Sequence, residues 1–196
     1  MAILSVNKLL KSELEVLDKQ LKTRSRTEVE MINIMSNHII SSGGKRLRPI
    51  TLLLSAYSVN NQLENAIIDS SVVVEFIHAA TLLHDDVVDM SDIRHNIDTA
   101  HTIWGNKGAV LVGDFLYSRA FEIIVEINSP LVYETLAQTT NIIAQGEVMQ
   151  LMNIGNIDIS ENLYMDIIFR KTSILFQASM KIGAILNKGT DKEIKS

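Results

Sequence analysis

The chain reads as an all-α protein, and three observations predict this. Apolar residues recur at spacings of three and four almost everywhere, no stretch alternates convincingly with period two, and only two prolines, Pro49 and Pro130, punctuate the pattern. Leu10, Leu14, Leu17 and Leu21 make one helical stripe, and Met31, Ile34, Met35, His38 and Ile39 make another. Pro49 is expected to open a third helix through Leu52, Leu53 and Tyr57, and a long apolar helix runs from about Asp69 to Asp89. Ser129-Pro130 reads as an N-cap with proline at the first helical position, where its missing N–H has no intrahelical partner to lose. Further helices are expected over about 106–127, 130–152 and 160–187. Thr190-Asp191-Lys192-Glu193 has the form of a capping box, yet only three residues follow it. Either this is a polar tail, or the chain is a fragment that stops as a helix begins.

Composition narrows the function. With 196 residues, 46% of them hydrophobic, a single helical domain over 1–196 with a real core is expected. The absence of cysteine removes disulfides and thiolate metal sites. No apolar run is expected to span a membrane, and the opening Met1-Ala2-Ile3-Leu4 is broken by Asn7 and Lys8, so no signal peptide is read and the cytoplasm is the default. A net charge of −5 argues against a nucleic-acid partner. Any anionic ligand must then be met by a local basic patch.

Two charged stretches stand out. The run from Glu75 to Asp89 opens as an apolar helix and ends in Asp85, Asp86 and Asp89 with no Lys or Arg among them. Asp85 and Asp89 lie one turn apart on one face, His78 continues that stripe backwards, and Asp92 extends it if the helix runs so far. Like charges at that spacing destabilise a helix, so a cation should occupy the face. Carboxylates without thiolate or a histidine pair suit a hard ion, Mg²⁺ above all, bridging to a substrate phosphate. A solvated acidic helix end is the alternative. The second stretch, Gly43-Gly44-Lys45-Arg46-Leu47-Arg48-Pro49, places three cations on a turn ahead of a helix, where backbone N–H groups also favour an anion. It is no Walker loop. One site would hold a phosphate through metal, the other through side chains alone. Arg94 stands just beyond the acids, able to clamp a metal-bound phosphate or to be a plain surface residue. Lys171-Thr172 lies within an apolar helix, where the lysine either snorkels or reaches a cleft. Gln145, Glu147 and Gln150 read as helix surface or site.

Taken together, the basic turn, the run His78 to Asp89, Gly113-Asp114-Phe115-Leu116, Gly146 to Leu151 and Lys171-Thr172 resemble the trans-isoprenyl diphosphate synthases over roughly residues 20 to 190, in order and approximate spacing. The wording of several segments is similar to bacterial octaprenyl diphosphate synthases. The resemblance implies a helical bundle around a central cavity, usually a homodimer, with the C-terminal helices missing here. It implies Mg²⁺ on Asp85, Asp86 and Asp89, holding the diphosphate of an allylic substrate such as farnesyl diphosphate. Lys45, Arg48 and His78 would bind isopentenyl diphosphate without metal, Arg94 and Lys171 would contact the allylic diphosphate, and Thr172 and Glu147 would line the cleft near the developing cation. The implied reaction makes a long all-trans polyprenyl diphosphate, a quinone side-chain precursor. Ala80 and Thr81, upstream of the acids, would border the growing tail; neither is aromatic, which favours a long product.

Departures from the family pattern matter. His95 stands where a second arginine would meet isopentenyl diphosphate, and a neutral imidazole is the weaker anion partner. The second aspartate-rich motif is absent from this sequence, so little or no synthase activity is expected of these residues alone. Two other readings compete. His84-Asp85 could mark a metal-dependent phosphohydrolase, although His84 lies roughly 60° off the 78/85/89 stripe. The chain could also be a non-catalytic partner or regulatory subunit of a synthase.

Overall fold

A computed structural model describes residues 2–42 and 44–195. Gly43, in the basic turn, and Met1, in the N-terminal run, lie outside the described residues. The elements are α1 (Ala2–Leu9), α2 (Lys11–Arg24), α3 (Glu30–Ser41), α4 (Leu47–Val59), α5 (Asn65–Val88), the strands β1 (Ile93–Arg94) and β2 (Ile97–Asp98), α6 (Ala100–Trp104), α7 (Asn106–Ile127), α8 (Pro130–Met152), α9 (Glu161–Ile168), a π-helical segment (Phe169–Ser173), α10 (Ile174–Leu186) and α11 (Asp191–Lys195). The fold is all-α apart from the hairpin of two-residue strands.

Several boundaries differ from the sequence reading, each for a local reason. α4 begins at Leu47 rather than Pro49, with the Ile50 N–H donating to the Arg46 carbonyl at 2.9 Å. Proline is tolerated in that first turn because it has no N–H to satisfy there. α5 starts at Asn65, four residues ahead of Asp69. Ser129 adopts the extended conformation of an N-cap, but its side chain makes no capping bond. The box at the end of the chain forms as expected: Thr190 N–H donates to Glu193 Oε2 at 2.7 Å, and Glu193 N–H donates to Thr190 Oγ1 at 3.4 Å. The expected helix over 160–187 is interrupted by the π-helical segment.

α5 also corrects the expectation that no apolar run reaches membrane-spanning length. Its 24 residues are long and apolar enough, with 67% of the most apolar window buried inside the protein, as in the central helix of a packed core.

By compactness the chain divides into two units, Met1–Ile50 with Ile68–Ile127, and Thr51–Ile67 with Asn128–Ser196. The first buries Leu17 and Leu21 of α2, Met35 of α3, Phe76, Ile77 and Leu83 of α5, and Leu116 and Ile123 of α7. In it α3 packs on α7, and α6 packs on both. The second buries Leu52, Leu53 and Ala56 of α4, Leu136 and Ile143 of α8, and Leu175, Ala178 and Ile182 of α10. There α8 packs along α10 and the π-helical segment.

Candidate functional site

In the first unit, α5 carries two opposite chemistries along its length. Its middle forms a wall of a cavity of about 650 Å³, within the size range of small-ligand pockets. Lys45, Arg46 and Arg48 from the basic turn, Glu75, His78 and Leu82 from α5, and His95 from the hairpin turn line this space. Four residues singled out from the sequence, Lys45, Arg48, His78 and His95, therefore share one cavity. Burial first, and then the nearby cations Arg48, Arg94 and Arg46 with His95, together hold the pKa of His78 down at about 3. His78 thus offers a neutral, hydrogen-bonding ring, and the positive charge comes from its neighbours. Burial also lowers the pKa of Arg48, opposed by the charge of Glu75; a guanidinium remains charged throughout the physiological range.

The pairing of two residues here, Arg46 and Glu75, was not legible in the sequence. Arg46 Nη1 donates to Glu75 Oε1 at 2.6 Å, and Nη2 donates to the Ile40 carbonyl at 2.7 Å. Its Nε lies 3.4 Å from Asp18 Oδ1. The available signal was Glu75 itself, a lone carboxylate in the apolar run Val72–Ala80. A charge in a core helix requires a buried partner.

α5 ends among the acids, with Asp85 and Asp86 in its last turn and Asp89 just beyond it. Met90 takes a left-handed φ of 51°, Ser91 N–H donates to the Asp86 carbonyl at 3.0 Å, and Asp89 N–H donates to the Asp85 carbonyl at 2.7 Å. This left-handed termination closes the helix. Asp92 consequently does not extend the stripe; its carbonyl accepts the Thr99 N–H at 3.0 Å. Carboxylates at a helix C-terminus oppose the dipole, which sharpens their demand for positive charge.

Arg94 meets that demand for one of them. Its Nη2 donates to Asp86 Oδ1 at 2.7 Å, and its Nε reaches Oδ1 at 3.0 Å and Oδ2 at 3.3 Å. The Asp86 side chain is 2% exposed. The hairpin presents this arginine: Arg94 pairs with Ile97, and His95 and Asn96 turn the chain with φ of 51° and 63°, the two left-handed residues of a tight hairpin loop. His38 Nε2 lies 2.9 Å from the Asp98 carbonyl and anchors the second strand.

Asp85 is partly exposed and Asp89 exposed. Among the described residues no group of three His, Asp or Glu side chains is arranged to hold a metal. Asp86 is the member withdrawn, because a desolvated carboxylate takes the nearest cation. Asp85 and Asp89 still fit Mg²⁺, which commonly uses one or two carboxylates and completes its shell with water and substrate phosphate oxygens.

Neighbouring positions have clear surroundings. The His84 ring lies against Gly113 of α7, where an added Cβ would collide with it. His84 Nε2 is 3.2 Å from the Val110 carbonyl and 3.3 Å from Asp114 Oδ1. It faces α7, not the stripe of Asp85 and Asp89, as the phosphohydrolase reading would need. Ala80 is fully buried, and Thr81 Oγ1 donates to the His78 carbonyl at 2.8 Å.

In the second unit, Lys171 neither snorkels nor stands alone. The π-helical segment carries it onto α8, where Nζ donates to Glu147 Oε2 at 2.8 Å. Such single-turn widenings recur at functional sites. Gly146 makes the approach possible, since a Cβ there would sit 2.7 Å from Arg170 Cβ and 3.0 Å from Lys171 N. Arg170 Nη1 donates to Gln145 Oε1 at 2.9 Å, so Gln145 and Glu147 are engaged rather than plain surface. Thr172, next in the segment, is exposed.

The sequence model of the family described as polyprenyl synthetase matches residues 29–196. The chain belongs to this family. It is 41% identical over 190 residues to octaprenyl diphosphate synthase of Escherichia coli, covering 97% of this chain and 58% of that protein. A polyprenyl synthase from Caulobacter crescentus CB15, solved in complex with calcium and isoprenyl diphosphate, superposes with a TM-score of 0.95 at 38% identity, covering 98% of this chain and 58% of the other. A decaprenyl diphosphate synthase from Rhodobacter capsulatus superposes with a TM-score of 0.94 at 35% identity, covering 98% and 59%. The chain therefore spans about 58% of the E. coli relative's length. Family membership favours the synthase reading over the phosphohydrolase one.

Proposed function

We propose that this sequence is part of a prenyltransferase that condenses isopentenyl diphosphate with an allylic prenyl diphosphate, farnesyl diphosphate above all, to build a long all-trans polyprenyl diphosphate used as a quinone side-chain precursor. One observation carries the reading: a cavity lined by Lys45, Arg48, His78 and His95 lies along the same helix whose C-terminal end holds Asp85, Asp86 and Asp89. The cavity suits a diphosphate held without metal, because guanidinium, ammonium and imidazole groups surround it. The acidic end suits a diphosphate held through Mg²⁺.

In the proposed reaction the allylic C–O bond breaks, the isopentenyl double bond attacks the allylic carbon, and a proton is lost to restore the alkene. Mg²⁺, when bound, supplies positive charge to the departing diphosphate. Asp85 and Asp89 would hold it, joined by Asp86 to the extent that Arg94 turns from Asp86 to the diphosphate. Lys45 and Arg48 bind and orient the isopentenyl diphosphate, with His78 as a neutral donor and His95 at the rim. The family resemblance would give Lys171 a contact with the allylic diphosphate, and Thr172 and Glu147 places near the developing cation. Such groups act as preorganised charge aimed at the transition state. Ala80 and Thr81 border the growing tail, and the lack of an aromatic side chain there favours a long product. Homodimeric assembly, which the family resemblance implies, and a cytoplasmic location, the default reading of the sequence, belong to the same proposal. The 196 residues alone carry little or no synthase activity in this reading, which the share of the relatives' length they span supports.

Imidazole resonances test it. Isopentenyl diphosphate added without divalent metal is expected to shift the ring signals of His78 and His95 and leave those of His101 in place. Absence of any shift at His78 and His95 would remove the basis of the reading.

A further inference from the structure

The basic cavity contains one acid among its described lining residues, Glu75, and a bare carboxylate there would oppose a diphosphate. We propose that Arg46 is a positioning residue: it does not touch the diphosphate, but cancels Glu75 within the cavity and ties the basic turn to the helices around it. The proposal rests on reading this cavity as a diphosphate site.

Each guanidinium nitrogen of Arg46 already faces a protein oxygen, on Glu75 of α5, Ile40 of α3 and Asp18 of α2. The Arg46 side chain is 18% exposed and that of Glu75 9%, so their interaction is little screened by solvent. The backbone points the same way. Arg46 holds a left-handed φ of 49°, and its carbonyl receives the Ile50 N–H within the first turn of α4. Side chain and carbonyl together set where α4 begins, and so where Arg48 in that turn faces. Lys45, just ahead of this anchor, is exposed. A direct ligand would instead need its guanidinium free to turn toward the phosphate oxygens.

Calorimetric titration of the 196-residue chain with inorganic pyrophosphate in excess EDTA tests this, using the wild type, K45Q, R46Q, E75Q and R46Q/E75Q, with thermal melts reporting folding. K45Q is expected to weaken binding about tenfold, the loss of one charge-assisted contact. R46Q is expected to weaken it by about thirtyfold or more, because it leaves the Glu75 charge uncompensated beside the anion. R46Q/E75Q should regain at least about tenfold over R46Q, since the repelling charge is gone. Equal losses from the Arg46 change whether residue 75 is Glu or Gln would overturn the proposal while leaving the diphosphate reading intact. A wild type that does not bind pyrophosphate would overturn both. If R46Q does not fold, the wild-type pyrophosphate complex decides by crystallography. The Arg46–Glu75 pair is expected intact, and a guanidinium swung onto the ligand would overturn the proposal.

Discussion

Truncating Arg94 to alanine strands a buried charge. Asp86 is 2% exposed in its side chain and takes three contacts of 2.7 to 3.3 Å from the Arg94 guanidinium. Removing one partner of a buried ion pair costs about 3–5 kcal/mol, because the survivor keeps its desolvation penalty. Arg94 itself is 29% exposed, so water can enter and partly replace it. This places the expected loss near the lower end, about 2–3 kcal/mol. For a chain of this size that corresponds to a fall in melting temperature of roughly 4–12 °C. Urea unfolding followed by far-ultraviolet circular dichroism measures it. Arg94→Ala combined with Asp86→Asn should recover at least about half the loss, since the charge that needed compensation is gone. A single variant within about 0.5 kcal/mol of wild type, the scatter of neutral surface changes, would mean that Asp86 does not depend on Arg94 for its charge balance. So would a double variant as unstable as the single one.

Three further outcomes are expected. Gly146→Ala places a Cβ 2.7 Å from Arg170 Cβ and 3.0 Å from Lys171 N, neither of them a flexible chain end. Overpacking should outweigh the helix-propensity gain and cost a net of about 1–2 kcal/mol in urea unfolding; no loss would mean the π-helical segment moves aside freely. His78, with its pKa held at about 3, resists protonation in the fold. Its contribution is therefore complete above the ordinary histidine pKa of about 6.5 and is lost as pH falls from there toward 3, by roughly 2.5 kcal/mol at pH 4.5. His78→Gln should remove that component from the pH dependence of stability, and parallel curves for the two proteins would contradict it. His95→Arg adds a permanent cation to the cavity and should tighten metal-free pyrophosphate binding about tenfold at pH 8, read by calorimetry. Unchanged affinity would place residue 95 outside the anion's reach.

How much of this was legible in the sequence follows from the range of the interactions involved. Helices of two turns and more declare themselves through apolar spacing, so α5, α7 and α8 were expected close to where they lie. The basic turn and the acidic end were legible because each concentrates one sign of charge within a few residues. The hairpin was not, since two-residue strands are too short to show alternation, and the signal was only a His-Asn pair suited to left-handed turns. The π-helical segment was hidden because the apolar residues on either side, Ile167 and Ile174, still suit a continuous helix. The inward turn of Asp86 and the Arg46–Glu75 pair depend on residues 8 and 29 positions apart meeting in space. Spacing along one helix cannot report either.

The proposed site divides its labour, one diphosphate gripped by side chains alone and the other held through metal. Calorimetry with the 196-residue chain tests it directly, titrating isopentenyl diphosphate and farnesyl diphosphate separately in Mg²⁺ and in excess EDTA. Isopentenyl diphosphate is expected to bind equally well in both, and farnesyl diphosphate only with Mg²⁺. Loss of isopentenyl diphosphate binding in EDTA, or farnesyl diphosphate binding indifferent to metal, would contradict that division.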